Sequence, residues 1–134
     1  MSNSEISKFI HEYCDTFRPG GSSEMPKYFH CPVTMLSGGV NLQFGCTDDL
    51  ALALSSILSG LEAKGFSYSK IQELHIHRLS ENTAIVSASF KRFTSDHAVL
   101  EEIAATYTIF KKTDLSWGII TIITHELDKV ICKI

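Results

Sequence analysis

The chain has 134 residues, enough for one domain built around a single core, and its 44% hydrophobic and 20% charged residues exclude intrinsic disorder. Net charge is −3, and the twelve Lys and Arg are scattered with no basic stripe interleaved with aromatics, so nucleic acid is not an expected partner. The polar start MSNSEISKF carries no secretory pattern, and no apolar run approaches the roughly 18 residues of a membrane span, so no membrane partner is expected.

Cys14, Cys31, Cys46 and Cys132 are spaced 17, 15 and 86 residues apart. That is neither the paired spacing of a zinc ribbon nor the density of a disulfide scaffold, and a reducing, cytoplasmic setting fits it best. Cys14 and Cys132 stand in apolar surroundings, where free cysteines behave as small hydrophobes.

In chain order, Ser2-x-x-Glu5 forms a capping box, and Ile6, Phe9, Ile10, Tyr13 and Phe17 follow at helical spacing. Pro19, Gly20 and Gly21 stop this helix; Ser22 and Ser23 are caps for a short second one carrying Met25, Tyr28 and Phe29. Pro32 then imposes extended backbone, and the runs 33–36 and 40–44 read as two short strands joined at Ser37-Gly38-Gly39. Thr47 is a suitable N-cap for a third helix with acidic residues in its first turn, an apolar stripe of Leu50, Leu54, Ile57, Leu58 and Leu61, and a C-terminal stop at Gly65. Beyond it, Ile, Val, Thr and aromatic residues predominate, with breaks that predict strands over 68–79, 83–93, 99–111 and 116–125. No linker, repeat or low-complexity run interrupts them, so residues 1–134 are expected to form one α+β domain, with N-terminal helices packed on a curved antiparallel sheet.

This order resembles the nuclear transport factor 2-like superfamily, including its ketosteroid isomerase-like and SnoaL-like branches, over essentially the whole chain. The densest similarity is TAIVSASFKRFTSDHAVLEEIAATYTIFKKTDLSWGIITIITHE, with its alternating strands, charged turn, and Trp followed by alternating Ile. The resemblance implies a cone-shaped fold around an apolar pocket, and a convex sheet face that often dimerises. Ketosteroid isomerases carry a Tyr on helix one and an Asp base shortly after the Phe that ends helix two. Counted from Phe29, Tyr13 falls at the donor position and Ser37 at the base position. A serine hydroxyl is too weak a base to abstract a carbon-bound proton unaided, so that chemistry is not expected.

Strand alternation assigns Val86, Ala88, Phe90 and Arg92 to the helix-facing side, matched by Ile103, Ala105, Tyr107 and Ile109. Extending the second row backwards puts Glu101 opposite Arg92 near the pocket rim, either as a substrate-binding or acid-base pair or as an ordinary cross-strand ion pair. In the last strand, Trp117, Ile119, Thr121, Ile123 and His125 share one side, placing His125 at the end of the core-facing row; His30 follows the aromatic pair Tyr28-Phe29 near the pocket mouth. His75 and His77, with Glu73, lie on one strand side, but no third metal ligand can be placed beside the two histidines. Neither a metal nor another cofactor is therefore expected.

The reading that follows is a domain that holds a hydrophobic small molecule among Phe9, Tyr13, Phe29, Met35, Phe90, Arg92, Glu101, Tyr107 and Trp117. One alternative is an isomerase, cyclase or dehydratase that uses His125 or His30 as base and Tyr13 as donor. Another is an interaction module that uses the outer face, with Ser87, Ser89, Thr106, Thr108, Ile85, Phe93 and Phe110, and a homodimer is expected under each of these readings.

Overall fold

A computed structural model describes residues 3–132. Its elements run α1 (Asn3–Asp15), a 3-10 turn (Met25–Tyr28), β1 (Phe29–Ser37), β2 (Val40–Phe44), α2 (Thr47–Ala63), β3 (Phe66–Ser80), β4 (Thr83–Thr94), β5 (Val99–Lys111), β6 (Trp117–His125) and a last 3-10 turn (Leu127–Lys129). The six strands form one sheet in the order β2-β1-β6-β5-β4-β3. The α+β class and the helix-before-meander order match the sequence reading.

The sheet differs from that reading in one pairing. β1 lies parallel to β6, with Met35 beside Ile122, while every other neighbouring pair is antiparallel. The long connection through α2 and the meander returns β6 alongside β1, so this contact joins the two ends of the chain.

Local expectations shift in three places. Ser2 lies outside the described residues, and the Glu5 carboxylate instead accepts a 3.3 Å hydrogen bond from the Trp117 indole. Glu24 rather than Ser22 or Ser23 precedes the 3-10 turn, with Pro26 in its first positions, and Phe29 belongs to β1 rather than to a helix. Cys46 is the N-cap of α2 and Thr47 its first residue, so the dipole at this end meets Asp48 and Asp49 rather than a side-chain cap. Gly65 ends the helix at φ 89°, the left-handed conformation a side chain would strain.

One apolar cluster ties the helices to the sheet. Ile6, Ile10 and Tyr13 of α1 and Leu50, Leu54 and Leu58 of α2 bury one stripe each against Val86, Ala88 and Ile109 of the inner sheet face. At about 25 cal/mol per Å² of apolar surface, this face supplies the main driving force for closing the helices on the sheet.

Candidate functional site

The space between α2, the β1–β2 hairpin and the inner face of β4 to β6 is not filled. A cavity of about 300 Å³ remains, bounded by Leu54 and Ile57 of α2, Met35 and Leu42 of the hairpin, and Ile103 and Ile122 of the sheet. Polar groups on the wall come from Tyr13, Tyr107, Arg92, Ser37 and Thr124. An open groove lined by Ser37, Gly38, Arg92, Glu102, His125 and Glu126 leads from it to solvent, so Arg92 stands at the junction of the two.

Tyr13 occupies the last turn of α1, where helical spacing turns it inward below Ile6 and Ile10. Its ring meets Phe17, Phe29 and Tyr107 edge-on at 5.4, 5.5 and 6.0 Å. Tyr13 and Tyr107 are only 2% and 6% exposed. Neither phenol hydroxyl makes a hydrogen bond among the described residues, and both residues line the cavity, whereas the buried side-chain atom sealed away without a partner is Arg78 Nη1.

Burial moves the acid-base behaviour of this corner in one direction. It pushes both phenols well above the usual tyrosine value and lifts the neighbouring Cys14 thiol to about 12; the Arg92 guanidinium opposes the shift in each case. The phenols are therefore neutral donors at physiological pH. Arg92 pairs with Glu101 directly across the hairpin, Nη1 donating to Oε1 at 3.1 Å, as the strand alternation predicts.

Of the residues expected at the pocket, Tyr13, Met35, Arg92 and Tyr107 line the 300 Å³ cavity, and Phe90 lines a small void of about 30 Å³ beside Tyr13 and Arg92. Glu101 contributes only through Arg92. Phe9 instead packs edge-on against Tyr28, and Phe29 lies behind Tyr13. Trp117 faces inward as expected but pairs with Lys111, four positions along β5 from the Ile122 partner Tyr107. There it sits under Arg78 and Glu5, beyond the cavity.

Neither histidine candidate lies on the wall of the 300 Å³ cavity, and His125 lines the groove outside it. A β-bulge at Ile120 inserts one residue between the pairs Ile109–Ile119 and Thr108–Thr121, so the parity of β6 changes. Ile122 and Thr124 consequently point inward, while Thr121, Ile123 and His125 point outward. The outward His125 accepts from the Thr106 hydroxyl at 2.8 Å through Nε2 and donates from Nδ1 to the Glu126 carbonyl at 2.9 Å. His30 donates to the Ser116 carbonyl at 2.9 Å and lies so close over Gly118 that a Cβ there would come within 2.4 Å of its ring. It is a packing residue away from the cavity mouth.

Ser37, the residue counted at the base position in the sequence, does reach the cavity wall, and its oxygen accepts from the Thr124 hydroxyl at 2.7 Å. No carboxylate or imidazole lies on that wall among the described residues. Beyond Met35, the sequence reading missed the hairpin residue Leu42 and the α2 residues Leu54 and Ile57, although both α2 residues stand in the apolar stripe read from the sequence.

On the opposite face of the sheet, the structure brings Glu73, His75 and Cys132 together, with one donor atom from each lying within 4.8 Å of the others. A third donor absent from the sequence argument thus comes from the end of the chain. His77 is engaged elsewhere, donating to the Ile131 carbonyl at 2.9 Å.

Helices closing one side of a long sheet over a lateral cavity define the nuclear transport factor 2-like class of α+β proteins. The chain belongs to the family described as NTF2-like protein (DUF6841), whose profile matches residues 4–127. Among solved structures, it resembles an NTF2-like protein of unknown function from Shewanella oneidensis MR-1 with a TM-score of 0.74 and 16% identity, covering 94% of this chain and 100% of the other. A protein from Shewanella frigidimarina NCIMB 400, provisionally named a ketosteroid isomerase, gives 0.69 at 14% identity over 88% and 92% of the two chains. An NTF2-like protein with a cystatin-like fold from Novosphingobium aromaticivorans gives 0.71 at 14% identity over 95% and 82%. At these identities the likeness establishes the fold alone. No curated protein matches the chain.

Proposed function

We propose that this domain binds an apolar small molecule bearing one carbonyl or carboxylate head group, which Tyr13, Tyr107 and Arg92 meet inside the cavity. The observation that supports this reading is a pair of phenols that line the cavity with no hydrogen bond among the described residues, on a wall that is otherwise largely apolar. A neutral hydrogen bond from such a donor to a ligand oxygen contributes about 0.5–1.5 kcal/mol. Arg92 commits one donor to Glu101 and has others in its fork for an acidic group. A volume of about 300 Å³ lies at the small end of ligand sites and suits one or two rings.

A thermal-shift screen of aromatic and polyketide-like acids against their neutral analogues tests the reading. A stabilising acid whose affinity falls in Arg92→Gln and in Tyr107→Phe supports it. Stabilisation indifferent to both substitutions, or none across the set, overturns it.

The isomerase, cyclase or dehydratase reading draws support from the same two donors, which suit a developing oxyanion, and from the name of the S. frigidimarina relative. The cavity wall offers it no base stronger than Ser37. Four unpaired cysteines favour a cytoplasmic setting, and among the described residues no helix is long and apolar enough to cross a membrane. A homodimer through the outer sheet face also belongs to this proposal, with half-buried Ile85, Phe93 and Phe110 as its apolar support. Ser87, Ser89 and Thr106 of the same face are already buried within the chain. Light scattering at twice the 14.9 kDa chain mass would support the dimer, and a monomeric mass at all concentrations would exclude it.

A further inference from the structure

We infer that Glu73, His75 and Cys132 form a zinc site that clasps the C-terminal segment onto the outer face of the sheet. Glu73 and His75 are two residues apart on β3 and pair with Ser89 and Ser87, so both project from the face opposite the helices. The His75 Nε2 lies 2.8 Å from Glu73 Oε2, and the Cys132 Sγ lies 4.0 Å from the same oxygen. Tetrahedral zinc, with bonds of about 2.0–2.1 Å to nitrogen and oxygen and about 2.3 Å to sulfur, needs donor separations of roughly 3.2–3.7 Å. Adjustments on the order of 1 Å at solvent-exposed side chains achieve this.

Cys132 reaches this position because the residue before it is held twice. The Ile131 N–H donates to Ser87 Oγ at 2.8 Å, and its carbonyl accepts from His77 Nε2 at 2.9 Å. Below it runs a directed chain: the Ser87 hydroxyl donates to Thr106 Oγ1 at 2.8 Å, and the Thr106 hydroxyl donates to His125 Nε2 at 2.8 Å. Ser87 is fully buried in this arrangement. Docking of the segment is therefore independent of the metal, and it delivers a thiol to an imidazole and a carboxylate.

A thiolate, an imidazole and a carboxylate form a borderline-soft donor set that favours zinc over calcium or magnesium. On binding, Cys132 loses its thiol proton to solvent, and the neutral His75 ring carries its single proton on Nδ1 while Nε2 takes the metal. Exposure of the cluster leaves the fourth position to water.

Cobalt(II) is the probe, titrated into the reduced full chain. One equivalent should produce a thiolate-to-cobalt charge-transfer band that zinc abolishes by displacement. Cys132→Ser should eliminate the band, and His75→Ala should weaken cobalt binding at least tenfold. Hydrogen exchange over residues 127–132 should slow several-fold with zinc in the parent and not in Cys132→Ser. Because Cys132 is exposed, its serine variant tests the site without disturbing the core. Absence of the band at stoichiometric cobalt, or a band that survives Cys132→Ser, overturns the inference.

Discussion

The two faces of β4 and β5 bury polar groups in opposite ways. On the outer face, Ser87 and Thr106 are 0% and 8% exposed, yet their hydroxyls are linked to one another, to Ile131 and to His125. On the inner face, Tyr13 and Tyr107 are buried to the same degree, and their hydroxyls have no partner among the described residues. Saturated polar groups serve the fold, since each hydrogen bond is complete before anything else binds. Unsaturated groups that open onto an empty volume remain available to what the volume receives.

The largest expected effect that separates the faces is alkaline unfolding, which belongs to the inner corner. Burial raises the Cys14 thiol from 9.0 to about 12 and both phenols above 10.0, so the fold favours their neutral forms. That stability is complete below pH 9 and is lost as pH rises toward 12, first through Cys14 and then through the tyrosines. Denaturant titrations from pH 8 to 11 should show stability falling from about pH 9, and Cys14→Ala should delay the fall to about pH 10. An unchanged onset in the variant would place the titrating group elsewhere.

Next in size is Trp117→Ala. The indole is buried beneath the Arg78 guanidinium and donates to Glu5, and its removal should cost about 3–5 kcal/mol in a urea midpoint measurement. Because Trp117 lies beyond the cavity, ligand affinity should be unaffected, which distinguishes core from site on a single face.

Ser87→Ala leaves the Ile131 N–H without its partner and should cost about 1–3 kcal/mol, with faster hydrogen exchange in the last turn of the chain. Tyr13→Phe makes the same chemical change on the other face and should cost almost nothing without ligand, while weakening a bound polar ligand by about 0.5–1.5 kcal/mol. Equal penalties for the two substitutions would erase the distinction between the faces.

The sequence made some of this visible and hid the rest for identifiable reasons. Alternation in β4 and β5 is clean, which is why Arg92 opposite Glu101 and Tyr107 on the inner wall could be read directly. The run Ile119-Ile120-Thr121-Ile122-Ile123 is apolar at both parities, so the bulge leaves no trace in it, and His125 was assigned to the wrong face. Trp117 shows a different loss: parity names a face but not a distance, and five positions along a strand at roughly 3.3 Å each separate it from the cavity. The segment after β6 has no periodic signal, so its return to Ser87 and the delivery of Cys132 to Glu73 depend on hydrogen bonds between distant residues.

The extra residue at Ile120 also decides which chemistry the cavity owns. With it, β6 presents Ile122 and Thr124 to the interior and keeps its imidazole outside. Deleting it would exchange those rows, turning Ile123 and His125 from the outer face and the groove to the cavity wall, which otherwise carries no imidazole. One residue of strand register thus separates a cavity wall without an imidazole from a wall that carries one.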